Sequence, residues 1–268
     1  MDELKAKYNS LKEYLLSLNK VAVAFSGGVD STFILMAAVE ALGKNNVIAY
    51  TATGSNFTKR DTEDAFKYAK LFNVKHLTLD TDAISVVNSS GNSALRCYYC
   101  KRSIFSELIK TAKTAGFENI IEASHADDLT DYRPGARAVK ELGVLSPLKE
   151  FSFTKTEIRT LLKMKEIDVH NKPSIACLIS RFPYNNTISE GDVFKVGASE
   201  EYLYTLGFDN CRVRHYGNTA KIEVDLNMID KLKSVFDDVS LKLKKLGYDK
   251  IEIDEKGYRS GSMNENII

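Results

Sequence analysis

The chain has 268 residues, 44% hydrophobic, enough for one large domain or two modest ones with real cores. Its 37 basic and 36 acidic residues leave a formal net charge of +1, which argues against a dedicated nucleic-acid binder. The N-terminus carries acids and no apolar signal region, and no run of about 18 apolar residues exists, so a cytoplasmic protein without a membrane span is expected.

Apolar residues at Leu4, Tyr8, Leu11, Leu15 and Leu18 recur at helical spacing and predict a helix over 3–18. Val21–Phe25 reads as a buried strand, and residues 31–42 as a helix. Between them stands Ser26-Gly27-Gly28-Val29-Asp30-Ser31, a glycine-rich turn at a helix N-terminus, where free backbone N–H groups and the helix dipole favour phosphate. Ser26 and Ser31 can donate hydroxyl hydrogen bonds to it. Asp30 would repel phosphate unless a cation such as Mg2+ lies between them. Strands at 47–51, 74–79 and 119–123 and helices at 58–72, 101–115 and 135–142 follow. Ser124-His125-Ala126-Asp127-Asp128 leaves the end of the fourth strand, where ligands bind in such sheets. Thr154-Lys155-Thr156-Glu157 is a capping box opening a helix to about 165. This alternation predicts an α/β domain over 1–170, a parallel sheet with helices on both faces.

Residues 166–187 lack periodicity and contain Pro173 and Pro183; 171–186 reads as an interdomain loop carrying Cys177. A small C-terminal α+β domain follows over 187–258. It has a helix at 189–206, paired strands at 211–215 and 220–224, a long helix at 226–246 capped by Asp225, and a strand at 251–254. A polar, frayed tail is expected over 259–268.

Cys97-Tyr98-Tyr99-Cys100 is compatible with a redox pair, half a zinc site or part of an iron–sulfur site. A thioredoxin-like pair opens a helix after a strand, whereas here the polar loop 88–93 precedes it. No second CxxC follows for a zinc ribbon. With Cys177, three thiolates could hold a cubane cluster and leave one iron open to a ligand such as hydrosulfide. Cys211 reads as an ordinary buried cysteine.

The SGGVDS turn resembles the pyrophosphate loop (PP-loop) of the ATP pyrophosphatases, of adenine nucleotide alpha hydrolase-like fold, which cleave ATP to AMP and pyrophosphate. Asp127-Asp128-Leu129-Thr130-Asp131-Tyr132-Arg133-Pro134-Gly135, Lys172–Tyr184 and Arg212-Val213-Arg214-His215 resemble motifs of a narrower family, the LarE sulfur transferases. The resemblance covers roughly residues 5–255. It implies adenylation of a carboxylate of pyridinium-3,5-biscarboxylic acid mononucleotide and its conversion to a thiocarboxylate, in synthesis of the nickel-pincer nucleotide cofactor. It implies ATP, Mg2+ and a 4Fe-4S cluster on Cys97, Cys100 and Cys177, with sulfide or a sulfide donor as partner, and a homo-hexamer. Cys177 and Asp30 are the expected catalytic residues. Ser26, Gly27, Gly28, Asp30, Ser31, Thr51 and Asp127 are expected at ATP, and Ser180, Arg181, Arg212, Arg214, Glu200 and Glu223 at the substrate. Arg212 and Arg214 share one strand face, where they either grip a phosphate or stand solvated. The competing readings are a sacrificial-cysteine transferase using Cys177, a tRNA thiolation enzyme, an amide-forming synthetase and a non-catalytic nucleotide sensor.

Overall fold

The computed structural model describes residues 2–130, 134–173, 176–259 and 263. Asp131, Tyr132 and Arg133 of the central motif, Ser174 and Ile175 before Cys177, and the expected tail apart from Arg259 and Met263 lie outside the described residues. The chain divides into two compact units, Met1–Asp82 with Leu95–Ile175, and Ala83–Ala94 with Ala176–Ile268.

The first unit begins with α1 (Asp2–Ser17), β1 (Val21–Ala24), α2 (Val29–Leu42), β2 (Val47–Thr53), α3 (Lys59–Leu71) and β3 (Lys75–Asp80). The chain passes through α4 (Ala83–Ser89), which belongs to the second unit, and returns as α5 (Arg96–Thr114), β4 (Asn119–Ile121), α6 (Pro134–Glu141), α7 (Pro147–Glu150) and α8 (Lys155–Met164). The four strands are parallel in the order β3-β2-β1-β4. Leu145 adds a one-residue parallel bridge beside Ile121.

Both sheet faces are covered, which is why β1 reads as an unbroken apolar run rather than an alternating one. Val21, Val23, Val47 and Ala49 pack with Leu11, Phe33, Ala65 and Leu161 of α1, α2, α3 and α8. Ala22, Ile48 and Tyr50 turn the other way, onto Phe105, Leu108 and Val139 of α5 and α6. The capping box at α8 is formed, with Thr154 accepting from the Glu157 N–H and Glu157 from the Thr154 N–H. Thr58 and Asp61 make a second one at α3.

The second unit adds α9 (Glu190–Thr205), β5 (Cys211–Tyr216), β6 (Thr219–Val224), α10 (Ile229–Ser234), α11 (Phe236–Lys245) and β7 (Lys250–Ile253). β5 and β6 form the expected antiparallel hairpin, and β7 lies parallel to β6. Val213, Ala220 and Ile222 share a core with Leu203, Leu232 and Leu243.

Three expectations need correction. The long helix at 226–246 is broken at Val235, which has φ −114° and ψ 13°, between α10 and α11. The apolar positions Leu232, Val239 and Leu243 keep a helical rhythm across the break, so the pattern conceals it. Asp225 does not cap a helix with its side chain; its Oδ1 accepts from Asn210 Nδ2 at 2.7 Å. The helix expected at 101–115 starts five residues earlier, at Arg96. Cys97 and Cys100 lie in the first turns of α5, which starts at Arg96 because buried Arg96 and Tyr98 anchor the backbone earlier than the polar run suggests.

Candidate functional site

In the first unit, β1 delivers the chain into the tight turn Ser26–Gly28, and α2 begins at Val29. Gly27 sits at φ +69°, and a Cβ there would fall 2.5 Å from the Ala65 nitrogen of α3. Positive φ and backbone proximity each demand glycine. The Ser26 and Ser31 hydroxyls stand 3.1 Å apart, and Ser31 Oγ donates to the Gly28 carbonyl at 3.2 Å. The N-cap, Gly28, offers no side-chain cap, so the first-turn N–H groups of α2 are oriented for an anion.

Asp30 lies in that first turn. Its carboxylate is gripped at both oxygens by Lys155 Nζ, at 2.7 and 2.5 Å. Lys155 is the first residue of α8, and its backbone N–H donates to Asp127 Oδ2 at 2.8 Å. His125 Nε2 is 3.8 Å from Asp30 Oδ2 and 3.5 Å from Asp128 Oδ1, and the His125 N–H donates to Asp128 Oδ2. Asp30 and Asp127 are thus joined through Lys155. Neither Lys155 nor His125 is among the expected ATP-site residues. The capping box places Lys155 at the helix start, but nothing in the sequence pairs it with a residue 125 positions earlier. Nearby, Lys172 makes an ion pair with Asp64 at 2.5 Å, beside the α3 backbone on which Gly27 rests.

Thr51 is buried at the end of β2, and its hydroxyl is committed to structure. It donates to the Phe25 carbonyl at 2.7 Å and stands 2.7 Å from His76 Nε2. Since the hydroxyl proton goes to Phe25, His76 Nε2 is the donor to Thr51. Burial lowers the His76 pKa and so favours this neutral ring.

Cys97 is exposed and Cys100 half-buried, and neither is in a disulfide. The helix turn that carries them is fastened to α6. Tyr98 Oη donates to Glu141 at 2.6 Å, Arg137 lies 4.1 Å over the Tyr98 ring, and a Cβ on Gly135 would come within 3.2 Å of the Cys97 carbonyl.

The second unit holds a buried ionic group. Arg181, 1% exposed, makes a two-point bridge to Glu200 at 2.8 and 2.9 Å. Its Nη1 donates to Ser180 Oγ and to the Ala176 and Cys177 carbonyls. Arg214 donates to Glu223 at 2.7 Å and to the Ser180 carbonyl at 3.2 Å. Arg212 donates to the Cys211 carbonyl and lies 4.9 Å from the Tyr258 ring centre. The strand face is therefore not solvated: Arg212 and Arg214 are both buried. Arg181 is paired with Glu200 and Arg214 with Glu223, and Arg212 is buried beside them. Burial lowers the Arg212 pKa, and the Arg181 charge lowers it further. For Arg181, burial opposes the charge, but Glu200 outweighs it and raises the pKa. Guanidinium forks gathered on one strand and the turn beside it have the donor geometry to grip an anion. Cys211 is buried, and its thiol is pushed up to about 12, mainly by burial, as suits a structural cysteine.

The fold thus gathers Ser26, Gly27, Gly28, Asp30, Ser31 and Asp127 in the first unit. It gathers Ser180, Arg181, Glu200, Arg212, Arg214 and Glu223, with the Cys177 carbonyl, in the second. Among the described residues, no group of three or more His, Cys, Asp or Glu side chains is placed to hold a metal ion. No helix among them is long and apolar enough to cross a membrane.

The NAD synthase family model matches residues 3–99, the segment that contains the phosphate turn and the CxxC's first cysteine. The chain is 35% identical to the pyridinium-3,5-bisthiocarboxylic acid mononucleotide synthase of Lactiplantibacillus plantarum, over 100% of this chain and 97% of that protein. It is 34% identical to an uncharacterised protein of Synechocystis sp., over 97% and 98% of the two chains. An NMN synthetase from Francisella tularensis shares the fold, with a TM-score of 0.52 at 18% identity, covering 64% of this chain and 75% of that one. The full-length likeness, carried on a parallel sheet whose first turn is built for phosphate, places the chain in the LarE family of PP-loop proteins, as an ATP-using enzyme of the transferase class.

Proposed function

We propose that the chain adenylates a carboxylate of pyridinium-3,5-biscarboxylic acid mononucleotide and replaces its oxygen by sulfur. The buried Arg181–Arg212–Arg214 group carries this reading beyond ATP use, because three guanidinium groups gathered together suit the phosphate of a mononucleotide. A carboxylate oxygen attacks the α-phosphorus of ATP and pyrophosphate leaves. The α2 N–H groups and Ser26 and Ser31 hold the departing pyrophosphate as its charge develops. Asp30, with Asp127 nearby, would hold Mg2+. Sulfide attack at the acyl carbon then expels AMP, which carries away the carboxylate oxygen, and leaves a thiocarboxylate.

The cysteines suit an iron–sulfur group in donor chemistry. Cys97 and Cys100 lie three residues apart on α5, a spacing that makes side chains neighbours, and neither they nor Cys177 is in a disulfide. By the family resemblance Cys97, Cys100 and Cys177 would hold a 4Fe-4S cluster, which would supply sulfide-level sulfur when bound. A second reading, in which Cys177 surrenders its own sulfur, is favoured by one observation. Cys177 belongs to the same unit as the arginines, and its carbonyl accepts from Arg181 at 3.3 Å.

Iron and acid-labile sulfide, measured after anaerobic purification of wild type and Cys177→Ala, separate the two. About four of each per chain, lost in the variant, supports the cluster. An iron-free wild type whose mass falls by one hydrogen sulfide per turnover supports the sacrificial route. Wild type that releases no pyrophosphate from ATP with the mononucleotide present overturns both.

A further inference from the structure

Lys155 is the residue at the phosphate turn that the reaction scheme above leaves without a task. Three observations define it. Its ammonium meets both oxygens of Asp30 at 2.5 and 2.7 Å, with each side chain about a quarter exposed. Its position is over-determined: the Thr154–Glu157 capping box fixes the start of α8, Lys7 braces Glu157 at 2.8 Å, and the Lys155 N–H is tied to Asp127. The carboxylate it neutralises sits in the first turn of α2, where the N–H groups are aimed at phosphate.

Magnesium usually keeps several waters and takes one or two carboxylates plus substrate phosphates, rather than a cage made by protein alone. The described residues accordingly offer no group of three acidic, histidine or cysteine ligands. A carboxylate whose two oxygens both receive an ammonium at these distances cannot also bind a cation closely. Nucleotide-bound magnesium can reach Asp30 only when Lys155 withdraws. Withdrawal leaves the ammonium beside the polyphosphate charge that the nucleotide brings.

We propose that Lys155 is the resident counter-ion of Asp30, holding the divalent cation's place until the metal nucleotide arrives and then serving as a phosphate ligand. The exchange makes metal binding and nucleotide binding one event. Free metal alone faces the cost of displacing Lys155 with nothing to receive it, and free polyphosphate alone finds Lys155 still engaged. This inference rests on the ATP-binding reading of the turn.

The test uses Lys155→Met, which keeps an unbranched side chain one atom shorter and the backbone N–H to Asp127 and removes the charge. Lys155→Arg is a charge-keeping companion, and a melting curve for each checks the fold. Mn2+ binding without nucleotide is read by electron paramagnetic resonance, and pyrophosphate binding with and without Mg2+ by calorimetry. The Met variant is expected to bind Mn2+ about tenfold more tightly than wild type, the scale of one lost close charge contact, and to bind pyrophosphate about tenfold more weakly when Mg2+ is present. Adding Asp30→Asn to the Met variant is expected to abolish the Mn2+ gain. The Arg variant is expected to keep Mn2+ out as wild type does. Equal Mn2+ affinity in wild type and the Met variant overturns the proposal while leaving the phosphate reading intact. Wild type that binds neither pyrophosphate nor ATP with Mg2+ overturns the phosphate reading as well.

Discussion

Glu200→Gln is the sharpest probe of the buried ionic group. The carboxylate accepts from Arg181 at 2.8 and 2.9 Å and from the Val213 N–H at 2.9 Å, and Arg181 is 1% exposed. The amide keeps the volume and one acceptor oxygen but removes the charge and one Arg181 bond. Breaking a buried pair from one side costs about 3–5 kcal/mol, because the surviving ion is left buried and uncompensated. Arg181 retains its bonds to Ser180 and to the Ala176 and Cys177 carbonyls, so the low end applies, about 3 kcal/mol. A chain of this size loses about 2–4 °C of melting temperature per kcal/mol, so a fall of roughly 6–12 °C is expected. The assay is thermal and urea unfolding, run with and without inorganic phosphate. The variant removes the carboxylate that Arg181 faces, so phosphate should stabilise the variant more than wild type, in proportion to the logarithm of its concentration over Kd. A variant within about 0.5 kcal/mol of wild type would refute the energetic argument. Equal stabilisation of both by phosphate would refute the anion-receptor argument.

Two further outcomes follow from the geometry. Gly27→Ala combines an unfavourable positive φ with a Cβ 2.5 Å from the Ala65 nitrogen, so it should cost at least about 1–3 kcal/mol and abolish ATP binding by calorimetry; an unchanged affinity would show that the turn does not carry the nucleotide. His215 is buried against Phe182 and Tyr248, and its pKa is lowered by burial, with Asp192 opposing the shift and Lys195 assisting it. The unfolded chain therefore binds the extra proton more readily, so stability should fall as pH drops below about 6.5 toward the lowered folded value. Urea midpoints at pH 7.5 and 5.5 should converge in His215→Phe relative to wild type; parallel slopes in the two proteins would contradict the assignment.

The centre of the parallel sheet was readable because β1 and most of β2 are buried on both faces and therefore almost wholly apolar, as Val21–Phe25 shows, whereas the edge strand β3 is polar and has no buried residue. The capping box at Thr154 was readable because it is a local exchange of two hydrogen bonds. What escaped depends on partners distant in the chain. The start of α5 at Arg96 is set by packing against α6, and Tyr98 meets Glu141 only in three dimensions. Val235 breaks a helix inside an uninterrupted apolar rhythm. The arginines of β5 were legible as candidates, but their burial and glutamate partners were not, since an alternating Arg-Val-Arg strand fits a wet face equally well. Lys155 was legible as a helix start and illegible as the partner of Asp30.

The segment Ala83–Ala94 belongs with residues that begin more than eighty positions later: Asn88 exchanges two hydrogen bonds with Ile188, and Asn92 donates to the Pro183 and Asn186 carbonyls. On the ribosome, that stretch emerges early and must wait for most of the chain before its acceptors exist. No single cut can separate the units into two independently expressible proteins, because a break after residue 175 strands α4 with the wrong half. A gene fragment encoding the C-terminal part alone would lack the strip that satisfies those carbonyls. Splitting this enzyme for complementation would instead require breaks on both sides of Ala83–Ala94, or a permuted chain that restores it to its own unit.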